Sequence, residues 1–165
     1  MLATASVKLH LGSGYIHLDG YINVDKFHPL ADVKADLLQL PFADSYADEV
    51  FAHHVIEHIS YGQQMDLYEE FFRVLKPGGL LRLGYPEFEV CVKNFLENEG
   101  GRRWKWWVQT LYGKQDEPGQ THLAPIVTSH LIEQLEQVGF GEFDYSLEEA
   151  NANLVCKKTE PLPWF

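Results

Sequence analysis

Five short apolar runs in the first half of the chain, each closed by glycine or by a hydrogen-bonding side chain, limit what it can fold into. Residues 7–11 run into Gly12-Ser13-Gly14, residues 21–25 (YINVD) and 31–36 end on carboxylates, residues 48–53 end on histidine, and residues 79–85 precede Pro86-Glu87. Apolar runs of this length bounded by turn formers read as buried strands. Between the last two, Met65, Tyr68, Phe71, Phe72 and Leu75 recur at three- and four-residue spacing, which makes one apolar stripe on a helix. Lys76-Pro77-Gly78-Gly79 stops that helix, because proline cannot continue the ladder and glycine accepts left-handed backbone angles.

The second half continues the alternation. Residues 87–111 read as helix interrupted at Gly100-Gly101. A last helix is expected to be capped by Thr128 or Ser129, to bury Leu131, Ile132, Leu135 and Val138, and to end at Gly139. Residues 141–145 and 153–157 then suit an antiparallel hairpin. Strands alternating with helices predict an α/β fold, an αβα sandwich whose sheet is mostly parallel with the C-terminal hairpin at one edge. In such sheets ligands sit beyond the carboxyl ends of the strands, where the strand order switches.

Composition narrows the function. The 165 residues make one domain, 1–165, and Cys91 and Cys156 form no CxxC framework, so a disulfide-rich module and a zinc finger are both disfavoured. The start of the chain has no signal-peptide pattern and no run is long and apolar enough for a membrane span, so a cytoplasmic protein without membrane contact is expected. A formal net charge of −11 argues against a nucleic-acid partner. Arg102, Arg103 and Lys105 do cluster beside Trp104, Trp106 and Trp107, but an amphipathic helix with its tryptophans in the core is the simpler reading.

The glycine loop carries the first chemical signal. Glycines after a strand let backbone N–H groups approach a ligand. The dinucleotide fingerprint is incomplete, however: His17 stands where the third glycine belongs, and Asp25 follows the loop too soon for a full helix. A ligand with ribose hydroxyls and no pyrophosphate, such as adenosine joined to an amino acid, suits this loop better.

His10-Leu11-Gly12-Ser13-Gly14, Asn23-Val24-Asp25, Asp36 followed by Leu40-Pro41-Phe42, His54-Val55-Ile56-Glu57-His58 and Arg73-Val74-Leu75-Lys76-Pro77-Gly78-Gly79 occur in the order seen in small, type 11-like class I S-adenosylmethionine-dependent methyltransferases, which the chain resembles over about residues 7–88. The resemblance implies a Rossmann-like doubly wound fold with S-adenosyl-L-methionine as cofactor. It implies that Gly12 and Gly14, with His10 and Ser13 beside them, approach the methionine part, Asp25 takes the ribose hydroxyls, Asp36 and Leu37 meet the adenine, and His53 lines the pocket near the sulfonium. His10 departs from the acidic residue many members carry at that position. Residues 88–126 would be a helical insertion that binds a small-molecule acceptor.

For the acceptor side, His54, Glu57 and Glu87 are the candidate proton acceptors, His54 first because imidazole suits that task near neutral pH. Two other readings stand beside this one. The domain could bind the cofactor without catalysis and act through a partner. Alternatively His54-x-x-Glu57-His58 could be the H-x-x-E-H signature of a zinc peptidase, but that motif wants the middle of a long helix and this one begins where a strand ends. No metal is therefore expected. A homodimer would cover the tryptophan-rich segment.

Overall fold

The computed structural model describes residues 6–97 and 104–159. Seven strands form one sheet: β1 (Lys8–Leu11), β2 (Ile22–Asp25), β3 (Val33–Lys34), β4 (Ala47–His53), β5 (Leu75–Pro86), β6 (Phe140–Glu148) and β7 (Asn151–Lys158), in the order β3-β2-β1-β4-β5-β7-β6. The first five pair in parallel, and β7 pairs antiparallel with both β5 and β6. The order reverses between β1 and β4, which opens a crevice at their carboxyl ends. The helices are α1 (Gln64–Val74), α2 (Phe88–Glu97), α3 (Trp104–Tyr112) and α4 (Thr128–Val138).

Strand alternation sorts the side chains. Leu9 pairs with Val50 and Val50 with Leu81, while Leu11 pairs with Ala52 and Ala52 with Leu83. All six are buried in one core with Leu67, Tyr68 and Phe71 of α1 and Leu131 and Leu135 of α4. Each fully buried leucine or phenylalanine contributes roughly 1.5–3 kcal/mol, so this layer supplies much of the stability. The links from β1 through β4 contain no helix, and the alternate residues Lys8, Phe51 and Arg82 on the opposite face are only partly covered.

The expected elements appear with shifted ends. The third strand is two residues long rather than the length of residues 31–36, and the last helix begins at Thr128 without a side-chain cap. Thr128 instead shares a hydrogen bond with the Tyr85 hydroxyl (2.9 Å), which takes its oxygen away from the helix end. Gly139 closes α4 in the left-handed conformation (φ 116°), as its type predicts. The Lys-Pro-Gly-Gly segment is not a free turn: β5 begins at Leu75 and carries it along the sheet through a register shift opposite β4.

Arg73, just before that segment, organises the link between β3 and β4. Its guanidinium donates to the carbonyls of Leu40 (3.2 Å) and Phe42 (2.8 Å) and to Glu70, while Glu70 accepts the Leu40 N–H at 2.6 Å. The Arg73 hydrogen bond holds the Glu70 carboxyl below its ordinary pKa. One helix thereby fixes the loop that presents Asp36 and Leu37. No helix among the described residues is long and apolar enough to cross a membrane.

Candidate functional site

A cleft of about 1210 Å³ lies over the carboxyl ends of the strands. On one side it is walled by Gly12, Gly14, Asp25, Asp36 and Leu37, and on the other by His54, His58, His122 and Trp106.

The glycine loop needs both its glycines, for different reasons. Gly12 (φ 64°) and Gly14 (φ 50°) are left-handed, a conformation that costs a residue with a Cβ roughly 1–2 kcal/mol. A Cβ on Gly12 would lie 2.5 Å from Val55 Cγ2, whereas one on Gly14 would meet nothing within 4 Å. Gly12 is thus glycine for packing, and Gly14 leaves open space beside the cleft.

Asp25 holds this wall together. Its Oδ2 accepts the Gly14 N–H (2.8 Å) and its Oδ1 accepts the N–H groups of Phe27 (2.7 Å) and His28 (2.8 Å). A carboxylate has about four acceptor sites, so capacity for a hydroxyl donor remains. Asp36 accepts from Lys26 Nζ (2.7 Å) and from the Leu38 N–H (3.1 Å). The Lys26 hydrogen bond, then that of Leu38, holds its carboxyl below the usual range. Leu37 is buried beside it and gives the wall an apolar patch.

The opposite wall is built from histidines with a buried carboxylate behind them. After β4 the chain takes a left-handed residue at His54 (φ 54°), anchored by its N–H to the Gly84 carbonyl (2.8 Å), and then a 3-10 turn at Ile56–His58. His54 and His58 are therefore not stacked on one long helix, which removes the geometry of an H-x-x-E-H peptidase. His54 Nδ1 lies 3.1 Å from Glu57 Oε1. Glu57 is 1% exposed, and its Oε2 is buried without a hydrogen-bond partner among the described residues.

Several expected residues sit elsewhere. His10 is buried, with Nδ1 2.9 Å from Asn23 Oδ1 and its ring stacked on Phe51, and it does not line the cleft. Burial pushes its pKa down. His53 also stacks on Phe51 and covers Gly84, and it does not line the cleft. Ser13 is buried, its N–H donating to the Val24 carbonyl (3.1 Å). Glu87 is buried next to Pro86, which does line the cleft; its Oε1 accepts the Thr128 N–H at 3.3 Å, and burial pushes its pKa up.

Of the tryptophan-rich segment, Trp107 is buried with Cys91 and Ala150 in a second small cluster, while Trp106 lines the cleft and Trp104 is exposed. Arg102 and Arg103 lie outside the described residues. Sequence reading missed two long-range features. The Tyr15 hydroxyl donates to Glu117 across 102 residues, and Phe27 packs on Gly119, so the loop after α3 is strapped over the glycine loop. His122, on that same loop, reaches His58, with ring centroids 4.8 Å apart.

Comparison with known proteins bears on the fold. Residues 20–83 match the family described as Methyltransferase domain. Sterol 24-C-methyltransferase of Pneumocystis carinii is 25% identical over 137 residues, which is 81% of this chain and 30% of that protein. The chain therefore spans less than a third of the length of the curated relative it matches. Among solved structures, a SAM-dependent methyltransferase of Thermotoga maritima superposes with a TM-score of 0.68 at 16% identity, covering 96% of this chain and 84% of that one. A SAM-dependent methyltransferase of Methanosarcina mazei gives 0.65 at 16% identity, covering 94% of each chain.

Proposed function

We propose that this chain, which carries a SAM-dependent methyltransferase domain, transfers the methyl group of S-adenosyl-L-methionine to a small-molecule acceptor bound in the same cleft. The observation that carries the reading is the pairing of an open Gly14 with Asp25 and Asp36 at successive strand ends on one wall. The residues present fit the cofactor. Gly14 leaves room for the methionine part, Asp25 has acceptor capacity left for a ribose hydroxyl, and Asp36 with the Leu37 backbone offers an acceptor and a donor to an adenine edge over an apolar floor.

The cofactor supplies an electrophilic methyl carbon on a sulfonium, so the protein's task is to hold an acceptor in line with it and to receive a proton where the nucleophile carries one. His54 is the group for that proton. It lines the cleft, is 41% exposed at its side chain, and is oriented through Nδ1 by Glu57, which leaves Nε2 for the acceptor. Glu57 is a positioning residue in this scheme, and Glu87 supports the wall by holding the start of α4 through Thr128. Trp106 and the loop after α3 close the cleft above the acceptor, so residues 88–126 supply the substrate surface.

The test combines binding and turnover. At S-adenosylhomocysteine 100 times above its dissociation constant, binding adds about 2.7 kcal/mol of stability, and a domain of this size gains roughly 2–4 °C per kcal/mol. A saturable rise of several degrees is expected, absent with NADH. Absence of a rise overturns the reading. A rise without cofactor turnover across hydroxyl, amine and thiol acceptors would leave a binding domain that acts through a partner.

A further inference from the structure

We propose that Glu57, His58 and His122 form a binding site for a divalent transition-metal ion at the acceptor end of the cleft. One ligand atom from each lies within 4.8 Å of the other two. Ligands at about 2.1 Å from a tetrahedral zinc ion stand roughly 3.4 Å apart, so small side-chain rotations close the set.

The hydrogen bonds already prepare His58 and Glu57 to ligate. His58 Nδ1 faces the Thr121 carbonyl at 3.1 Å; a carbonyl only accepts, so Nδ1 carries the proton and Nε2 keeps its lone pair. A ligating histidine with its second nitrogen tied to a backbone carbonyl is the usual arrangement around protein metals. The carboxylate is prepared in the opposite way. His54 engages Oε1, and Oε2 is left buried with no partner among the described residues. An unpartnered buried carboxylate oxygen is costly, and a cation held by Glu57 together with the two imidazoles reduces that cost.

The backbone holds the three residues together. Glu57 and His58 share the 3-10 turn after β4, and the Glu57 carbonyl accepts the N–H groups of Leu123 (2.8 Å) and Ala124 (3.2 Å), directly beyond His122. The His122 N–H donates to the Tyr112 carbonyl (3.1 Å). Gly113 permits this approach, since a Cβ there would fall on the Gln120 carbonyl oxygen. The absence of a metal expected from the sequence followed from His54 and His58 lacking a common helix. His122, arriving from a distant loop, supplies the ligand that this argument did not consider.

Two imidazoles and one carboxylate suit zinc, iron(II), cobalt(II) or manganese(II) better than calcium or magnesium, which prefer all-oxygen sites. Three protein ligands leave coordination positions free, and His58 and His122 both line the cleft. The consequence for catalysis rests on the methyltransferase reading. An acceptor hydroxyl on the ion loses its proton to solvent or His54. Its oxygen then bonds the methyl carbon as the carbon–sulfur bond breaks, and the sulfur leaves as a thioether with the electron pair.

The experiment uses tag-free protein stripped with chelator and titrated with Co2+ and Zn2+, read by calorimetry and by the visible bands of Co2+. One equivalent should bind, and the paramagnetic ion should shift the ring signals of His58 and His122 without any substitution. His58→Asn, His122→Asn and Glu57→Gln should each weaken binding at least ~100-fold, while His130→Asn, outside the cluster, should not. No saturable Co2+ or Zn2+ binding, or binding retained in all three variants, overturns the site. Thermal response to S-adenosylhomocysteine is measured on the same samples. Metal binding without that response keeps the site and sinks the methyltransferase reading; the response without metal binding does the reverse.

Discussion

The two walls of the cleft treat their carboxylates in opposite ways. On the glycine-loop wall, Asp25 accepts three backbone N–H groups and Asp36 accepts an ammonium and an N–H, so both are held in place before any ligand arrives. Behind the histidine wall, Glu57 is more deeply buried than either, yet one of its oxygens has no partner among the described residues. The difference separates two tasks. A binding wall gains from carboxylates whose geometry is fixed by the backbone. A reactive wall keeps a group whose demand for a proton or a cation is unmet, and that stored demand is what chemistry can use.

The largest effect should come from Asp25→Ala. It removes the expected ribose acceptor and also unlatches Gly14 from residues 27 and 28, so affinity for S-adenosylhomocysteine should fall at least ~100-fold, about 2.7 kcal/mol. Asp25→Asn, which keeps one oxygen, should fall between. Both should leave Co2+ binding at the other wall unchanged within about threefold, because none of the hydrogen bonds of Asp25 reaches Glu57, His58 or His122. Loss of both ligands together would break the division between the walls.

The two glycines give the next contrast. Gly12→Ala must displace Val55 and hold a left-handed alanine, so it should destabilise by about 1–3 kcal/mol and lower Tm by several degrees. Gly14→Ala meets no protein atom, so its stability cost should stay near 1 kcal/mol while its methyl group enters the space left for the ligand. Tm and the dissociation constant measured on both variants should therefore rank them in opposite orders. The same ranking in both measurements would mean that Gly14 does not border the ligand.

What could be read from the sequence follows from distance along the chain. The glycine loop, the strand-end aspartates and α1 declared themselves because turn chemistry and helical spacing are local. β3, at the sheet edge, is two residues long because it pairs with β2 alone, through Val33 and Lys34. The positions of His10 and His53 were available in principle: strand alternation sends them opposite Leu9, Leu11 and Ala52, away from the helix-covered face, and onto Phe51. Nothing local announces His122 beside His58 or Tyr15 beneath Glu117. Those contacts exist only once the loop after α3 folds back over the strand ends.

The smallest expected effect concerns the ion pair at the edge of the binding wall. Lys26 and Asp36 are both more than 40% exposed, so their attraction is screened, and Lys26→Met should change S-adenosylhomocysteine affinity at neutral pH by less than about threefold. Its pH dependence is more telling. Lys26 and the Leu38 N–H depress the Asp36 pKa in the folded protein, so the stabilisation they bring is present above the ordinary carboxylate pKa and is lost as pH falls through the depressed value. Removing the ammonium raises that value, and the loss begins at a higher pH. Binding measured from about pH 3.5 to pH 7 should thus show the acid limb of Lys26→Met displaced upward while its neutral plateau matches the native protein. A lowered plateau instead would make Lys26 itself a ligand group, and the binding wall would then depend on a cation as the histidine wall is proposed to do.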